Sequence, residues 1–193
     1  MSSSEHGFGT RVIHVGSTPD PTTGAVVVPI SLATTFAQPT PGAPPGTGSD
    51  LSYGRGFEYS RTGNPTRAAF EQAVASSECG KYCVAFASGM AATTTLVHLL
   101  KPNDHVVCID DVYGGTQRYF RRIAAPGYGV EFVFADLSSE AALRAAIVPG
   151  RTKMVWLETP TNPTLKVRTR FLYRRQPRRG ITSRAGDPYA GQE

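Results

Sequence analysis

The sequence predicts an α/β fold, a parallel sheet with helices on its faces, and three observations carry that prediction. Apolar segments the length of a strand recur at 83–87, 105–109, 131–135 and 154–157. Stretches of helical character separate them at 89–100, 114–125 and 138–148. Each segment reads as apolar throughout, as expected of strands covered on both faces. Strands that alternate with helices pair in parallel through right-handed crossovers.

The elements follow in order. Residues 1–58 read as an irregular arm, with a short extended segment, Val26-Val27-Val28-Pro29-Ile30, interrupted by its proline. Residues 39–56 are dense in proline and glycine and read as a mobile loop. Asn64-Pro65 reads as an N-cap followed by proline at the first helical position. The helix it opens carries Phe70, Ala73 and Val74 on one face and stops near Gly80. The four strands and their helices then occupy the chain to about Thr159, after which nothing comparable follows. Pro177, Gly180, Gly186, Pro188 and Gly191 break any period in residues 168–193, so the sheet is expected to stop early.

Composition narrows the function classes. The chain has 193 residues, 40% hydrophobic and 18% charged, as in an ordinary globular domain with a sizeable core. No apolar run has the length of a bilayer span, and the N-terminus lacks the features of a secretory signal. A cytoplasmic protein with no membrane contact is therefore expected. Three cysteines are too few for a disulfide framework. Cys79 and Cys83 have no second pair or histidine cluster to complete a metal site, so no metal is expected and both read as packing residues.

The net charge of +5 sits in one place: residues 168–193 hold seven arginines against Asp187 and Glu193, and the rest of the chain is neutral. A basic tail can serve nucleic acid. This one has no lysine and no defined binding module, which leaves a nucleic-acid role as the weakest of the alternatives.

Chemistry-bearing residues gather where α/β folds bind ligands, beyond the carboxyl ends of the strands. Ser88-Gly89-Met90 follows the first strand and opens a helix. The first N–H groups of a helix have no internal partner and carry the positive end of its dipole, so an anion can sit there, and glycine lets it approach. Many helices begin this way without binding anything. The second strand leads into Asp110-Asp111-Val112-Tyr113-Gly114-Gly115-Thr116, and the fourth into Glu158-Thr159-Pro160-Thr161-Asn162-Pro163. A flat, phosphorylated aromatic ligand suits this set: phosphate on the helix start, ring on Tyr113, polar edge on Asn162. Tyr113 reads equally as a core aromatic, and Asn162 as a turn residue.

Four motifs in order carry a family resemblance. Tyr59-Ser60-Arg61-Thr62-Gly63-Asn64-Pro65-Thr66-Arg67, Phe86-Ala87-Ser88-Gly89-Met90-Ala91-Ala92, Asp110 through Thr116 and Glu158 through Pro163 resemble the cystathionine γ-lyase/γ-synthase family of pyridoxal-phosphate enzymes. The match runs from about Gly9 to Val167, with residues 39–56 as an insertion. Segments 81–89 and 118–121 look most like the γ-lyase branch. The resemblance implies the N-terminal part of a fold-type-I large domain at 59–167, after an arm at 1–58 and before a non-homologous, disordered tail at 168–193. It implies pyridoxal 5′-phosphate as cofactor, a sulfur amino acid as substrate, a homo-oligomer, and cystathionine cleavage to cysteine by elimination in transsulfuration.

The resemblance also implies roles. Gly89 and Met90, after Ser88, offer backbone N–H groups to the phosphate, Tyr113 stacks on the pyridine ring, and Asn162 sits near its phenolic oxygen. Tyr59 and Arg61 reach the phosphate of a neighbouring subunit. Arg61 suits that chemistry, as a fixed cation with a fork of donors. In the family, a Schiff-base lysine in a Ser-x-Thr-Lys setting and an aspartate for the pyridine nitrogen lie further along. None of Lys81, Lys101, Lys153 and Lys166 has that setting. The expectation is a truncated chain, inactive alone, with a tail translated from a shifted frame or a retained intron. The alternative is a non-catalytic subunit that associates or interferes with a full-length homologue.

Overall fold

The computed structural model describes residues 6–37 and 56–167. These fall into two compact units, one ending at Ala85 and one beginning at Phe86. The basic tail and almost all of the 39–56 loop lie outside the described residues.

In the first unit, helix α1 (Phe8–His14) packs on helix α2 (Pro65–Ser77). Asn64 caps α2 as its sequence predicts: its side-chain oxygen accepts the N–H groups of Thr66 at 2.9 Å and Arg67 at 3.1 Å, and Pro65 takes the first helical position. Gly16 stands at φ +84, and a Cβ there would meet the Ala69 carbonyl oxygen at 2.2 Å, so only glycine lets the chain leaving α1 pass this close to α2. The Arg11 guanidinium donates to the Ser76 carbonyl at 2.7 Å.

The buried face of α2 is Ala68, Ala75 and Ser76, not the expected Phe70 face. Phe70 lies two residues, about 200°, around the helix from Ala68 and is 58% exposed. The helix ends where expected, with the Gly80 N–H returning to the Ala75 carbonyl at 2.7 Å. Cys79, at φ 53 in that turn, is exposed and Cys83 half-buried. Neither is the buried packing residue its sequence suggested. Segment 26–30 joins no strand; Thr66 tethers its end by donating to the Pro29 carbonyl and accepting the Ser31 N–H, both at 2.8 Å.

In the second unit, helix α3 (Gly89–Val97) leads to strand β1 (His105–Ile109), and helix α4 (Gly114–Tyr119) follows. A π-turn, Phe120–Ala124, then joins α4 to helix α5 (Ala125–Tyr128), with the Ala125 N–H bonded to the Phe120 carbonyl five residues back. Strand β2 (Glu131–Ala135), helix α6 (Glu140–Ala146) and strand β3 (Thr152–Trp156) complete it. The strands run parallel in the order β2-β1-β3, so β1 is central and wholly buried. Val97, Val107, Ile109, Phe120, Leu137 and Leu143 form the core. The Phe120 ring stacks on Phe132 at 4.5 Å and stands edge-on to Trp156 at 5.4 Å.

Among the described residues three strands stand where four were expected: 83–87 forms none. A strand exists only by sharing a ladder, and no described neighbour offers one to this segment. Its Ala85 N–H donates instead to the Glu71 carboxylate at 2.8 Å, and Val84 is 56% exposed. Strands β2 and β3 are only partly buried, because each is an edge of the described sheet. Strand β3 begins at Thr152 and so includes Lys153, which was expected to precede it.

Candidate functional site

The start of α3 is open and exposed at Gly89. Ser88 is the N-cap, and its hydroxyl oxygen accepts the Ala91 N–H at 3.1 Å. That occupies the third helical N–H group, while helix geometry gives those of Gly89 and Met90 no acceptor within the helix. A Cβ on Gly89 would meet nothing within 4 Å. The fold itself therefore does not require glycine here; what its absent side chain preserves is open access to the backbone. Thr93, in the next turn, donates its hydroxyl to the Gly89 carbonyl at 2.9 Å.

Beyond β1, Tyr113 is the N-cap of α4 and is 49% exposed. A half-exposed ring is not the core aromatic that its sequence left open. A Cβ on Gly115 would stand 2.5 Å from Tyr113 Cε1, so the bare second residue of α4 makes room for the ring. The Tyr113 N–H donates to Glu158 Oε2 at 2.9 Å, tying the segment after β1 to the segment after β3.

A second tie closes around Asn162. The hydroxyls of Thr161 and Thr164 both donate to Asp111 Oδ2, and the Thr164 N–H reaches the same oxygen at 3.3 Å. Thr161 is buried, and its hydroxyl oxygen accepts the Lys166 N–H at 2.8 Å. Asn162 itself is exposed between these anchors. Lys166 Nζ stands 3.5 Å from Asp110 Oδ2. The hydroxyls of Thr161 and Thr164, with a smaller contribution from Lys166, hold the Asp111 carboxyl below the ordinary carboxylate range. Burial pushes the neighbouring Cys108 thiol up to about 12, and the Glu158 charge adds to the shift.

The structure thus places Tyr113 and Asn162 on the segments that follow two adjacent parallel strands, β1 and β3, at the sheet end where α/β folds bind ligands. Ser88, Gly89 and Met90 open α3 in the same unit, and α3 touches α4. Tyr59 and Arg61 belong to the first unit and lie side by side, with the guanidinium 5.4 Å from the ring centroid and donating to the phenol oxygen at 3.3 Å. Arg67 steadies that pair, donating to the carbonyls of Ser60 at 3.0 Å and Arg61 at 3.4 Å. Sequence reasoning passed over Asp111, Thr161, Thr164, Glu158 and Gly115. The first four act through contacts some 50 residues apart, and only the density of acceptors after β1 and hydroxyls after β3 hinted at them.

An open pair of helix-start N–H groups, a half-exposed ring and an exposed amide fit a phosphorylated pyridine such as pyridoxal 5′-phosphate. The comparisons with known proteins agree. The family profile described as Cys/Met metabolism PLP-dependent enzyme matches residues 9–169. Human cystathionine gamma-lyase is 55% identical over 161 residues, which is 83% of this chain and 37% of that protein. The cystathionine beta-lyase of Coxiella burnetii is 49% identical over 158 residues, 82% of this chain and 38% of that one. The crystal structure of metB from Corynebacterium glutamicum superposes with a TM-score of 0.75 at 43% identity, covering 87% of this chain and 41% of that one. The chain thus spans well under half the length of these relatives, and its fold is a part of their larger one. On its motifs, its fold and its matched residues, the chain belongs to the pyridoxal-phosphate-dependent enzymes of cysteine and methionine metabolism.

Proposed function

We propose that this chain carries the phosphate-and-ring half of a pyridoxal-phosphate site of the cystathionine γ-lyase kind. The reaction proposed for the complete enzyme of that kind is elimination from cystathionine to give cysteine, with the cytoplasm as its proposed place. The single observation that carries the reading is the Gly89 helix start, open to solvent with two N–H groups to offer. When bound, the cofactor supplies an electron sink for the amino-acid substrate. The chain's own residues bind and orient it. Gly89 and Met90 donate to the phosphate, Tyr113 covers one ring face, and Asn162 addresses a polar edge of the ring. Tyr59 and Arg61 serve the phosphate of a second subunit in an oligomer.

The 193 residues on their own hold the cofactor without a covalent bond. Lys153 Nζ donates to the Gly150 carbonyl at 2.8 Å, Lys166 pairs with Asp110, and the Lys81 ammonium lies over the Tyr82 ring. None of these contacts, among the described residues, prepares a lysine as a nucleophile toward the cofactor. Borohydride treatment of the purified chain with pyridoxal phosphate is expected to fix no stoichiometric adduct, and cystathionine turnover to be absent. A one-to-one adduct on one lysine, with turnover, overturns this reading.

The exposed Tyr59–Arg61 pair favours a second reading, in which the chain joins a full-length homologue and lends or blocks that pair. Co-expression with human cystathionine gamma-lyase and pull-down tests it. Recovery that is lost in Arg61→Ala supports the association, and no recovery excludes it.

A further inference from the structure

The carboxylate of Asp111 is placed where a loop tie matters most. It is the second residue beyond β1 and two residues before Tyr113. Its Oδ2 receives the hydroxyls of Thr161 and Thr164, the residues that bracket Asn162-Pro163. Two hydroxyls and one backbone N–H on one charged oxygen make a strong, directional junction. Thr161 is anchored on its other side as well: its N–H donates to the Lys166 carbonyl at 3.0 Å, and its carbonyl accepts the Leu165 N–H at 3.0 Å. The Asn162 loop is therefore rigid at both ends, and each end is referenced to the segment that carries Tyr113.

We infer that Asp111 is a positioning residue for ligand binding: by gripping the hydroxyls on either side of Asn162, it sets that amide in fixed register with the Tyr113 ring. This rests on the reading of Tyr113 and Asn162 as cofactor-facing residues. Asp111 touches no ligand in this scheme. It acts through Asn162, so its removal costs affinity only as long as Asn162 is present. A carboxylate that merely stabilised the fold would show no such dependence.

The test uses 4-deoxypyridoxine 5′-phosphate, which has the cofactor's ring and phosphate but no aldehyde, so lysine chemistry plays no part. Binding by the full 193-residue chain is followed by fluorescence for wild type, Asp111→Ala, Asp111→Asn, Thr164→Val, Asn162→Ala and the Asp111→Ala/Asn162→Ala double variant. Asp111→Ala is expected to weaken binding about tenfold, the loss of hydrogen bonds to a charged group. Asp111→Asn, which keeps an acceptor oxygen, and Thr164→Val, on an exposed residue that leaves folding intact, are expected to fall between. The double variant is expected to be no weaker than Asn162→Ala alone. Additive losses, or unchanged affinity in Asp111→Ala, overturn the inference.

Backbone amide exchange in the free protein reads the same latch without ligand. Asp111→Ala and Thr164→Val are expected to speed exchange across 161–166 about tenfold and to leave β1 unchanged. Unchanged exchange across 161–166 overturns the inference too. Faster exchange in a chain that binds no analogue leaves the latch standing as a loop tie but removes its bearing on ligand, and the cofactor reading fails with it.

Discussion

The ring of Tyr113 fills the space that a side chain on Gly115 would need: a Cβ there would stand 2.5 Å from Cε1 and 3.2 Å from Cδ1 and Cζ. Beyond its two chain neighbours and its own helix backbone, the adjacent Gly114 has nothing within 4 Å of the same position. Two neighbouring glycines at one helix start thus differ in what they protect, and Gly115 protects the placement of the ring.

Substitution separates them. Gly115→Ala is expected to displace the ring and weaken binding of 4-deoxypyridoxine 5′-phosphate about three- to tenfold, the scale of one aromatic contact. Gly114→Ala is expected to bind like wild type. Fluorescence titration of both variants checks this; equal affinities would remove Gly115 from the site.

Asn64 holds the start of α2 and part of the arm together. Besides capping two N–H groups, its side-chain Nδ2 donates to the Ser31 carbonyl at 3.1 Å. Asn64→Ala is expected to cost about 1–2 kcal/mol of stability. Denaturant unfolding measures it, and amide exchange is expected to accelerate at Thr66, Arg67 and Ser31. An unchanged midpoint contradicts the assignment.

Acid tests the Asp111 junction from another side. The carboxyl is held below its ordinary value near 3.8, first by the Thr161 hydroxyl and then by that of Thr164. A carboxyl depressed in the folded state adds stability above its unfolded value, and that stability is lost as pH falls through the folded one. The groups around it are Lys166, whose cation favours the charged form, and Asp110 and Glu158 on the same segments. Protection of the Thr164 amide is therefore expected to stay constant from pH 7 to about 4 and to decline only below that. Loss of protection between pH 7 and 5 contradicts the account.

Thiol chemistry checks the burial. Cys108 is fully buried with its thiol pushed up to about 12, whereas Cys79 is exposed. At pH 8 the native chain is expected to be alkylated at Cys79 and spared at Cys108. Mass spectrometry of the peptides decides it, and rapid labelling of Cys108 contradicts the fold around β1.

Much of this was legible in the sequence where the signal is local. Asn64-Pro65 announces its own cap, the apolar run 105–109 is the central strand it promises to be, and Ser88-Gly89 opens a helix as written. Segment 83–87 shows the limit. Its residues suit a strand, but a ladder needs a neighbour, and in the described structure the Ala85 N–H turns to Glu71 instead. Phe70 shows another: an apolar residue on a helix names a face only when the partner helix is known, and α1 packs on the Ala68 side. The Asp111 latch joins residues 50 and more apart through side-chain hydroxyls, and no periodicity records such a contact.

The central claim is that the start of α3 receives the phosphate of a pyridoxal-type ligand, and Gly89 tests it most directly. A Cβ at this position meets nothing within 4 Å beyond its chain neighbours and its own helix backbone, so Gly89→Leu is expected to fold while covering the N–H groups of Gly89 and Met90. Titration of wild type and variant with 4-deoxypyridoxine 5′-phosphate, with inorganic phosphate as competitor, is the measurement. The account predicts saturable, phosphate-competed binding to wild type and a loss of at least about tenfold in Gly89→Leu. Equal affinity in the two proteins, or binding that phosphate does not displace, would contradict it.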